Sequence, residues 1–384
     1  MKHSGFRLAL AALIMTGCAS THVSDAVDIW SLPESQQAAL YLENGQYEEA
    51  IDAYRQLVAA NPKHFKSVLY QRKVMEITES TSDPWRLIDE MKHTLDLFDT
   101  ACAEQFEGAT PEAVQQERNA LEKYVYNKGA VFHSVYQKTR NTLYALFAME
   151  FYELYTSHFP NGDMTCDVIY YLGDVEFFSG NYETSARNFE RVLNECDNAT
   201  LSNYPESYVD AALGYMLACD RWMRSDACPE SPRYSGTEDP EQQELTEYPI
   251  AECRLRFIEA AKRYLEVLQK YQDEKLGDYS INAFYTIGLI YFDHNHFDKA
   301  NQLFQKVIDM APKSEPAVYA CDYILESYGV TKKYKEILKY VREIKMNQEF
   351  MSNPSPLMPD LLEFMDKFEK QAMEKLGMAG ADEQ

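Results

Sequence analysis

The chain has 384 residues, with 61 Asp and Glu against 37 Lys and Arg, which gives a formal net charge of −24 at pH 7. A surface this acidic repels nucleic acid and anionic lipid head groups, so the composition argues against nucleic-acid binding and favours basic partner segments. The apolar pattern is helical and does not change to the two-residue alternation of a strand. We therefore expect one elongated array of helices rather than two or three compact domains.

Residues 1–17 have the pattern of a signal peptide. Basic residues precede an apolar run, Leu8 to Met15, which is too short to span a bilayer as a mature helix. The run leads to Met15-Thr16-Gly17-Cys18, which resembles the bacterial lipobox except for Met in place of the usual Leu. This resemblance implies a lipid on Cys18, and Ala19, which is not Asp, implies sorting to the outer membrane. The alternative is a plain secretory signal with an incidental cysteine.

Residues 18–32 carry no helical period and are predicted to form a lipidated tether. At ~3.5 Å per residue, such a tether holds the body within about 50 Å of the lipid. We therefore expect a protein that works close to the membrane, on its periplasmic face.

Helical patterns fill residues 33–346. The first helix is predicted from Pro33 to Leu42, and the second begins near Tyr47 and stops at Asn61-Pro62. Later second helices are marked by the position of the small residue in the helix, taken together with the residue four positions after it. These markers are Ala148 with Tyr152, Ser185 with Phe189, Ala260 with Tyr264, Ala300 with Phe304, and Ile337 with Val341. Successive markers 37 or 40 residues apart indicate stacked helix pairs, and one divergent pair is predicted between Ala50 and Ala148.

One interval is too long for an ordinary pair, because Ala260 lies 75 residues after Ser185. Residues 225–250 are rich in Pro, Ser, Gly and acidic residues, and we predict a loop inserted between the two helices of one pair. Cys228 and Cys253 bracket this loop. They form a disulfide that limits the freedom of the loop, or they pack as small apolar residues.

The C-terminal part differs from the repeats. Residues 347–377 are predicted to contain a Pro-containing linker, Asn353 to Pro359, and an amphipathic helix near Leu361 to Leu376 that caps the array. Residues 378–384 are expected to be disordered.

The clearest repeat lies between residues 284 and 312. It consists of Phe284, Ile287, Gly288, Tyr291, Ala300, Phe304 and Pro312. This spacing resembles the tetratricopeptide (TPR) repeat, and the segment around Gly173 resembles it less closely. The resemblance implies an all-α, TPR-like solenoid of about six or seven antiparallel helix pairs with a C-terminal capping helix. The residues assigned to repeat packing are Gly173, Gly288, Ala300, Phe304 and Pro312, of which the small ones let helices approach and Pro312 ends a helix.

In such a solenoid, the first helices of the pairs line a groove that binds peptides or proteins. Positions six and three before the repeat glycine, and one and four after it, lie on one stripe of the helix. Counting from Gly173, Gly214 and Gly288 predicts an aromatic and acidic groove. Its residues are Asp167, Tyr170, Asp174, Phe177, Tyr208, Tyr215, Asn282, Tyr285, Leu289, Phe292 and Asp293. Such a surface suits a segment with Arg or Lys between apolar anchors, although each aromatic could instead pack against the next repeat.

No catalytic site or cofactor is expected. The chain contains none of the common metalloprotease, hydrolase or nucleotide-binding motifs. His294-Asn295-His296 is the one histidine pair, but adjacent turn positions rarely converge on a metal without a third fixed ligand, so we expect a solvated turn and no metal site.

These features support two hypotheses of function. A lipobox followed by TPR-like repeats is similar to envelope lipoproteins of the β-barrel-assembly and Tol-Pal-linked kinds, which implies a membrane-anchored scaffold for a protein or peptide partner. The alternative is a lipoprotein that captures glycans or another nutrient for an outer-membrane uptake system, since 28 Tyr and 3 Trp offer stacking faces.

Overall fold

The computed structural model describes residues 33–80, 83–103, 108–231, 245–271 and 278–378. The predicted signal peptide, Cys18, the tether and residues 379–384 of the predicted tail lie outside this part of the chain. Within it, the regular elements are all helices, which form seven antiparallel pairs followed by a short helix and a capping helix. The expected fold class, an all-α TPR-like solenoid, is confirmed.

The helices have the following bounds. The first four pairs are α1 (Glu34–Glu43) with α2 (Tyr47–Ala60), α3 (Phe65–Ser80) with α4 (Pro84–Ala103), α5 (Pro111–Thr139) with α6 (Thr142–His158), and α7 (Thr165–Ser179) with α8 (Tyr182–Glu195). The other three pairs are α9 (Glu206–Met223) with α10 (Glu252–Tyr271), α11 (Asp278–Asp293) with α12 (Phe297–Met310), and α13 (Glu315–Val330) with α14 (Tyr334–Met346). The short helix is α15 (Gln348–Met351), and the capping helix is α16 (Met358–Lys375).

Small residues allow the paired helices to approach closely. Gly288 of α11 faces Phe304 of α12, and a Cβ at this position would lie 2.6 Å from the Cε1 atom of Phe304. Ala300, which is fully buried, is the small residue on the other helix of the pair. In the α7–α8 pair, the hydroxyl of Ser185 donates a 2.7 Å hydrogen bond to the carbonyl oxygen of Gly173. These contacts place Gly173, Gly288 and Ala300 where two helices meet.

Four pairs share one turn, which fixes how they correspond to each other. Each first helix has one residue where it comes closest to its second helix, and the residue seven positions later adopts a positive φ. The residue after that one donates its backbone N–H to the carbonyl oxygen five residues before it, at 2.8 or 2.9 Å. The positive-φ residues are Gly45 (74°), Gly180 (86°), Asn295 (63°) and Lys332 (56°). The close-approach position of each pair is therefore Ala38, Gly173, Gly288 and Leu325, in that order.

The long helix α5 was not anticipated. The residues that it buries recur about every four positions, but half of them are not aliphatic or aromatic, so the apolar period is hidden. They are Glu117, Leu121, Val125, Gly129, His133 and Tyr136. Glu117 accepts two hydrogen bonds from Arg72 at 2.6 and 2.8 Å, and Gly129 leaves room for the ring of Tyr152. The interval between Ala50 and Ala148 thus holds the predicted divergent pair, α3–α4, and also α5.

Residues 224–251 separate the two helices of the fifth pair, as expected for an insertion. Cys228 and Cys253 form a disulfide at its base, with Cα atoms 6.0 Å apart. A second disulfide, which the sequence did not suggest, joins Cys166 to Cys196. Cys219 and Cys321 are buried free thiols.

The returning part of the insertion lies on the turn between α11 and α12. The N–H of Tyr248 donates to the carbonyl oxygen of His294 at 3.0 Å, and the side-chain amide of Asn295 donates to the carbonyl oxygen of Thr246 at 3.0 Å. His296 contacts the carbonyl oxygen of Tyr248 at 3.1 Å and the carboxylate of Glu247 at 3.0 Å. The expected solvated turn is therefore wrong, because His294 and Asn295 are buried beneath this segment.

The linker and α16 close the end of the array. The side-chain amide of Asn353 donates to the carbonyl oxygens of Pro312 and Ser314, which attaches the linker to the turn before α13. Lys345 of α14 forms ion pairs with Asp366 and Glu369 of α16 at 2.9 and 2.6 Å. The apolar face of α16, which includes Leu361, Met365 and Ala372, is buried against the last pair.

Candidate partner-binding groove

The last helix pair is more open than the others, and its sequence explains why. The shared turn makes Leu325 and Ile337 the counterparts of Gly288 and Ala300, 37 residues later. Both are buried, and their larger side chains keep α13 and α14 from the close contact that α11 and α12 make. Since α16 lies against both helices, a cleft remains between them.

We call this cleft the C-terminal groove. It has a volume of about 810 Å³. It is lined by Val318, Tyr319, Asp322, Glu326, Gly329 and Val330 of α13, Lys332, Tyr334 and Ile337 of the following turn and α14, and Leu357, Asp360, Leu361, Phe364, Phe368, Gln371, Ala372 and Lys375 at and within α16. Its volume falls within the roughly 300–1,000 Å³ of ligand pockets.

The walls of the C-terminal groove are largely apolar. Phe364 and Phe368 of α16 contact each other with ring centroids 4.4 Å apart. Gly329 lets Phe368 approach α13, since a Cβ there would lie 2.6 Å from its Cε1 atom. Val318 and Val330 supply aliphatic surface from α13. A partner side chain that enters the groove would exchange water for apolar contact.

Two carboxylates lie one helical turn apart on the α13 side of the groove. Burial raises the pKa of Asp322, and burial together with the charge of Asp322 raises the pKa of Glu326. Within the described residues, neither carboxylate forms an ion pair with Lys or Arg. The groove therefore combines apolar walls with two carboxylates on α13, and its two lysines, Lys332 and Lys375, lie outside α13.

Aromatic side chains extend this surface from α13 to α11. Tyr285 of α11 lies 6.5 Å from Tyr323 of α13 between ring centroids, and Tyr323 stacks on Phe304 at 5.3 Å. Burial raises the pKa of Tyr323, and the negative charges of Asp293, Glu326 and Asp322 raise it further. The groove and the adjoining first-helix surface thus share one aromatic and acidic character.

The structure separates the eleven residues predicted for the groove. Asn282 is exposed. Six are half-buried, namely Asp174, Phe177, Tyr208, Tyr285, Leu289 and Asp293. Four are buried, namely Asp167, Tyr170, Tyr215 and Phe292. The first seven stay candidates for contact with a partner.

For the four buried residues the predicted role is wrong, because their side chains belong to the interior. The carboxylate of Asp167 accepts hydrogen bonds from the N–H and hydroxyl of Ser202, at 3.0 and 2.7 Å, and so holds the loop before α9. Phe292 packs edge-on against Tyr323 at 4.9 Å. Tyr170 and Tyr215 lie in the apolar core of the fourth and fifth pairs.

On α9 the error arises from counting positions from Gly214. This glycine faces Phe189 of the preceding pair, with a Cβ that would lie 2.7 Å from its Cζ atom, and does not mark the contact with α10. The stripe counted from it therefore runs into the core at Ala211 and Ala218. Asp210 of α9 lies near Asp174 of α7 instead. Burial raises the pKa of Asp210, and the negative charge of Asp174 raises it further.

Sequence reasoning missed the groove residues of α13. The same stripe rule, applied to Leu325 in place of a glycine, selects Tyr319, Asp322, Glu326 and Gly329, all of which line the C-terminal groove. The 37-residue interval between Ala300 and Ile337 contained this register. Ile337 marked the second helix of this pair, but Leu325 did not stand out as the corresponding position of the first helix, because it is not a small residue.

In the described part of the chain, no cluster of three or more metal-binding side chains occurs. The helices of the same part include none that is long and apolar enough to cross a bilayer.

Two segments match sequence models of the tetratricopeptide repeat, residues 36–71 and residues 282–314. The first covers most of α1, all of α2 and the start of α3, and the second covers most of α11 and all of α12. The chain therefore carries TPR repeats in these two segments. No curated protein matches the sequence.

Similar solved structures include three proteins of low identity. The MamA protein is 13% identical, with 66% of this chain and 96% of that chain covered and a TM-score of 0.33. The apo form of RapI is 12% identical, with 90% and 98% covered and a TM-score of 0.30. A tetratricopeptide repeat protein from Parabacteroides merdae is 11% identical, with 87% and 97% covered and a TM-score of 0.23.

Proposed function

We propose that this protein is a non-catalytic scaffold that is anchored in a bacterial envelope by an N-terminal lipid and binds a segment of another protein. The observation that carries the proposal is the C-terminal groove. It is an open cleft of about 810 Å³ with apolar walls and two carboxylates without an ion-pair partner in the described residues. Concave apolar sites with a few convergent polar groups are typical binding sites.

The repeats support the same role. A helical array presents an extended surface on its first helices, and the TPR repeats favour a protein as the partner. The groove adjoins that surface through Tyr285 and Tyr323. A partner segment that enters the groove would therefore continue along the aromatic and acidic surface of α11.

Site-specific crosslinking tests this role in the native membrane. A photo-reactive phenylalanine analogue replaces either Tyr319, which is 39% exposed in the groove, or Tyr47, which is 46% exposed on the first pair. We expect one defined protein adduct from position 319 and none from position 47. The proposal is contradicted if position 319 yields no protein adduct, or if the adducts from both positions are the same.

The lipid anchor is a separate part of the proposal, supported by the resemblance of Met15-Thr16-Gly17-Cys18 to the lipobox. Since several acyl chains anchor a protein firmly, Cys18→Ala should move the protein from the membrane fraction to the soluble fraction. Membrane fractions washed with high salt provide the measurement. A variant that stays with the membrane would contradict lipidation at Cys18.

A further inference from the structure

The chemistry of the C-terminal groove restricts what it binds. We propose that it takes an amphipathic peptide segment that places one Lys or Arg beside Asp322 and Glu326 and apolar side chains against Phe364 and Phe368. This inference rests on the proposed function and specifies the kind of segment that the scaffold recognises.

The size of the groove favours a segment over a folded surface. A volume of about 810 Å³ accommodates a few side chains. The groove lies between helices, where an amphipathic helix can insert its apolar side chains. Phe364, Phe368 and Val330 provide the apolar walls, and Tyr319 lies at an exposed position of the lining.

The two carboxylates require a cation rather than a neutral group. Asp322 and Glu326 are half-buried, and the pKa of Glu326 is raised first by burial and then by the negative charge of Asp322. A Lys or Arg side chain between them would replace lost hydration with direct ion pairs. An acidic or phosphorylated segment would add a third negative charge and is disfavoured.

The lysines of the lining do not supply this cation. Lys332 lies in the turn after α13, and Lys375 is the last residue of α16. Burial raises the pKa of Asp322, and burial and the charge of Asp322 raise the pKa of Glu326, so neither pKa is lowered by a nearby lysine. Both lysines lie at the ends of helices, whereas the two carboxylates lie within α13.

Segments of the chain outside the described residues do not fit the requirement equally well. Residues 18–32 and 379–384 contain no Lys or Arg. Residues 232–244 have one basic residue, Arg233, against four acidic ones, and residues 272–277 have one, Lys275, against two. The net charge of −24 also disfavours a second copy of this acidic chain. The partner is therefore expected to be a different chain with a basic amphipathic segment.

Binding of designed peptides to the full-length protein tests the inference. The probes are three amphipathic helical peptides of ~14 residues, about four turns, that are identical except for Lys, Gln or Glu at the centre of the apolar face. Calorimetry should give a Kd about ten-fold lower for the Lys peptide than for the Gln peptide, with the weakest binding for the Glu peptide. The double variant Asp322→Asn, Glu326→Gln should remove the preference, so that the Lys and Gln peptides bind to it with similar Kd.

The matched control removes the same charge outside the groove. Glu336→Gln with Glu363→Gln changes two exposed carboxylates that do not line the groove, and it should keep the preference for Lys. Circular dichroism checks that both double variants keep the wild-type helix content.

Four results would overturn the inference. The first is equal affinity of the wild-type protein for the Lys and Gln peptides. The second is a preference for Lys that survives in the Asp322 and Glu326 double variant. The third is absence of binding to all three peptides. The fourth is formation of dimers of the wild-type protein that the double variant dissociates. If position 319 still forms its protein adduct in any of these cases, the proposed function stands and only the assigned segment is wrong.

Discussion

At the scale of single residues, one glycine sets the distance between two helices. Gly288 leaves space for Phe304, which is fully buried and stacked on Tyr323, so its ring has no free volume to move into. A side chain at position 288 must push the helices apart. The same positions in the last pair hold Leu325 and Ile337, and there the helices are apart.

Gly288→Val should therefore destabilise the sixth pair. Overpacking of a core costs typically 1–3 kcal/mol, which exceeds the gain of a few tenths of a kcal/mol from replacing glycine in a helix. We expect the free energy of unfolding, measured by urea denaturation, to fall by about 2 kcal/mol. Asn282→Val, at an exposed site of the same helix, is the control and should change it by less than about 0.5 kcal/mol. Equal effects of the two variants would contradict the packing role of Gly288.

A buried carboxylate gives the stability a defined pH dependence. Burial raises the pKa of Glu176 from 4.5 to about 6, although Asn188 opposes the rise by donating a 2.8 Å hydrogen bond to the carboxylate. Between these two values the folded protein binds more protons than the unfolded chain. The contribution of Glu176 is therefore fully present below pH 4.5 and is lost as the pH rises through 6.

Glu176→Gln should remove this contribution. The free energy of unfolding is measured for the wild type and the variant between pH 4 and 8 by heat and by urea. As the pH rises, the free energy of unfolding of the wild type should fall by about 2 kcal/mol more than that of the variant. Glu195→Gln, at an exposed site on α8, should follow the wild type. Parallel pH profiles for the wild type and Glu176→Gln would contradict the assignment.

At the scale of elements, the insertion joins the fifth and sixth pairs. The helices α10 and α11 make few contacts with each other, and residues 245–250 lie across the turn of the sixth pair through backbone and side-chain hydrogen bonds. Asn295 is the side chain that reaches the carbonyl oxygen of Thr246. The disulfide at Cys228 and Cys253 holds the base of the same insertion.

Asn295→Gly should loosen this attachment without straining the turn. Glycine accepts the positive φ of this position, as Gly45 and Gly180 do in the same turn of other pairs. Loss of the hydrogen bond to Thr246 should speed hydrogen exchange at the Tyr248 amide by roughly three- to ten-fold. Lys332→Gly makes the same change in the turn of the last pair and should leave Tyr248 unaffected. A similar effect of both variants would contradict the role of Asn295.

The sequence predicted the helices whose apolar period is regular and missed those whose buried face is mixed. α1 and α2 were predicted near their bounds, and the α11–α12 pair was predicted between residues 284 and 312, because small and aromatic residues recur at fixed spacing. The helix α5 was missed because Glu117, Gly129 and His133 occupy its buried stripe. In the docking of residues 245–250 on the α11–α12 turn, Asn295 and His296 contact backbone carbonyl oxygens of the insertion, which leave no pattern in the sequence.

The candidate site was predicted only in part for a related reason. Glycine markers gave the correct register on α11, where Asn282 and Tyr285 remain accessible, but Gly214 of α9 makes a different contact. The C-terminal groove arises where Leu325 and Ile337 replace small residues, so a search for conserved spacing of small residues passes over it. A departure from the repeat pattern, rather than the pattern itself, marks the site.

At the scale of the whole molecule, the seven helix pairs of the described residues form an array. Small residues allow close contact in the α7–α8 and α11–α12 pairs, and the last pair is open. The capping helix α16 covers the end of the apolar core and also supplies Phe364 and Phe368 to the groove. Array and cap together place an acidic, apolar cleft beside the first-helix surface. We therefore expect the partner to contact the C-terminal end of the array rather than its first pairs.

A hydrogen-exchange footprint of the complex with the partner identified by crosslinking tests this claim most directly. Amide exchange is measured along the full-length protein with and without the partner. We expect amide hydrogen exchange in α13 and α16 to become slower when the partner binds, and exchange in α1 to α4 to stay unchanged. Protection that is confined to the first pairs, with α13 and α16 unchanged, would contradict it.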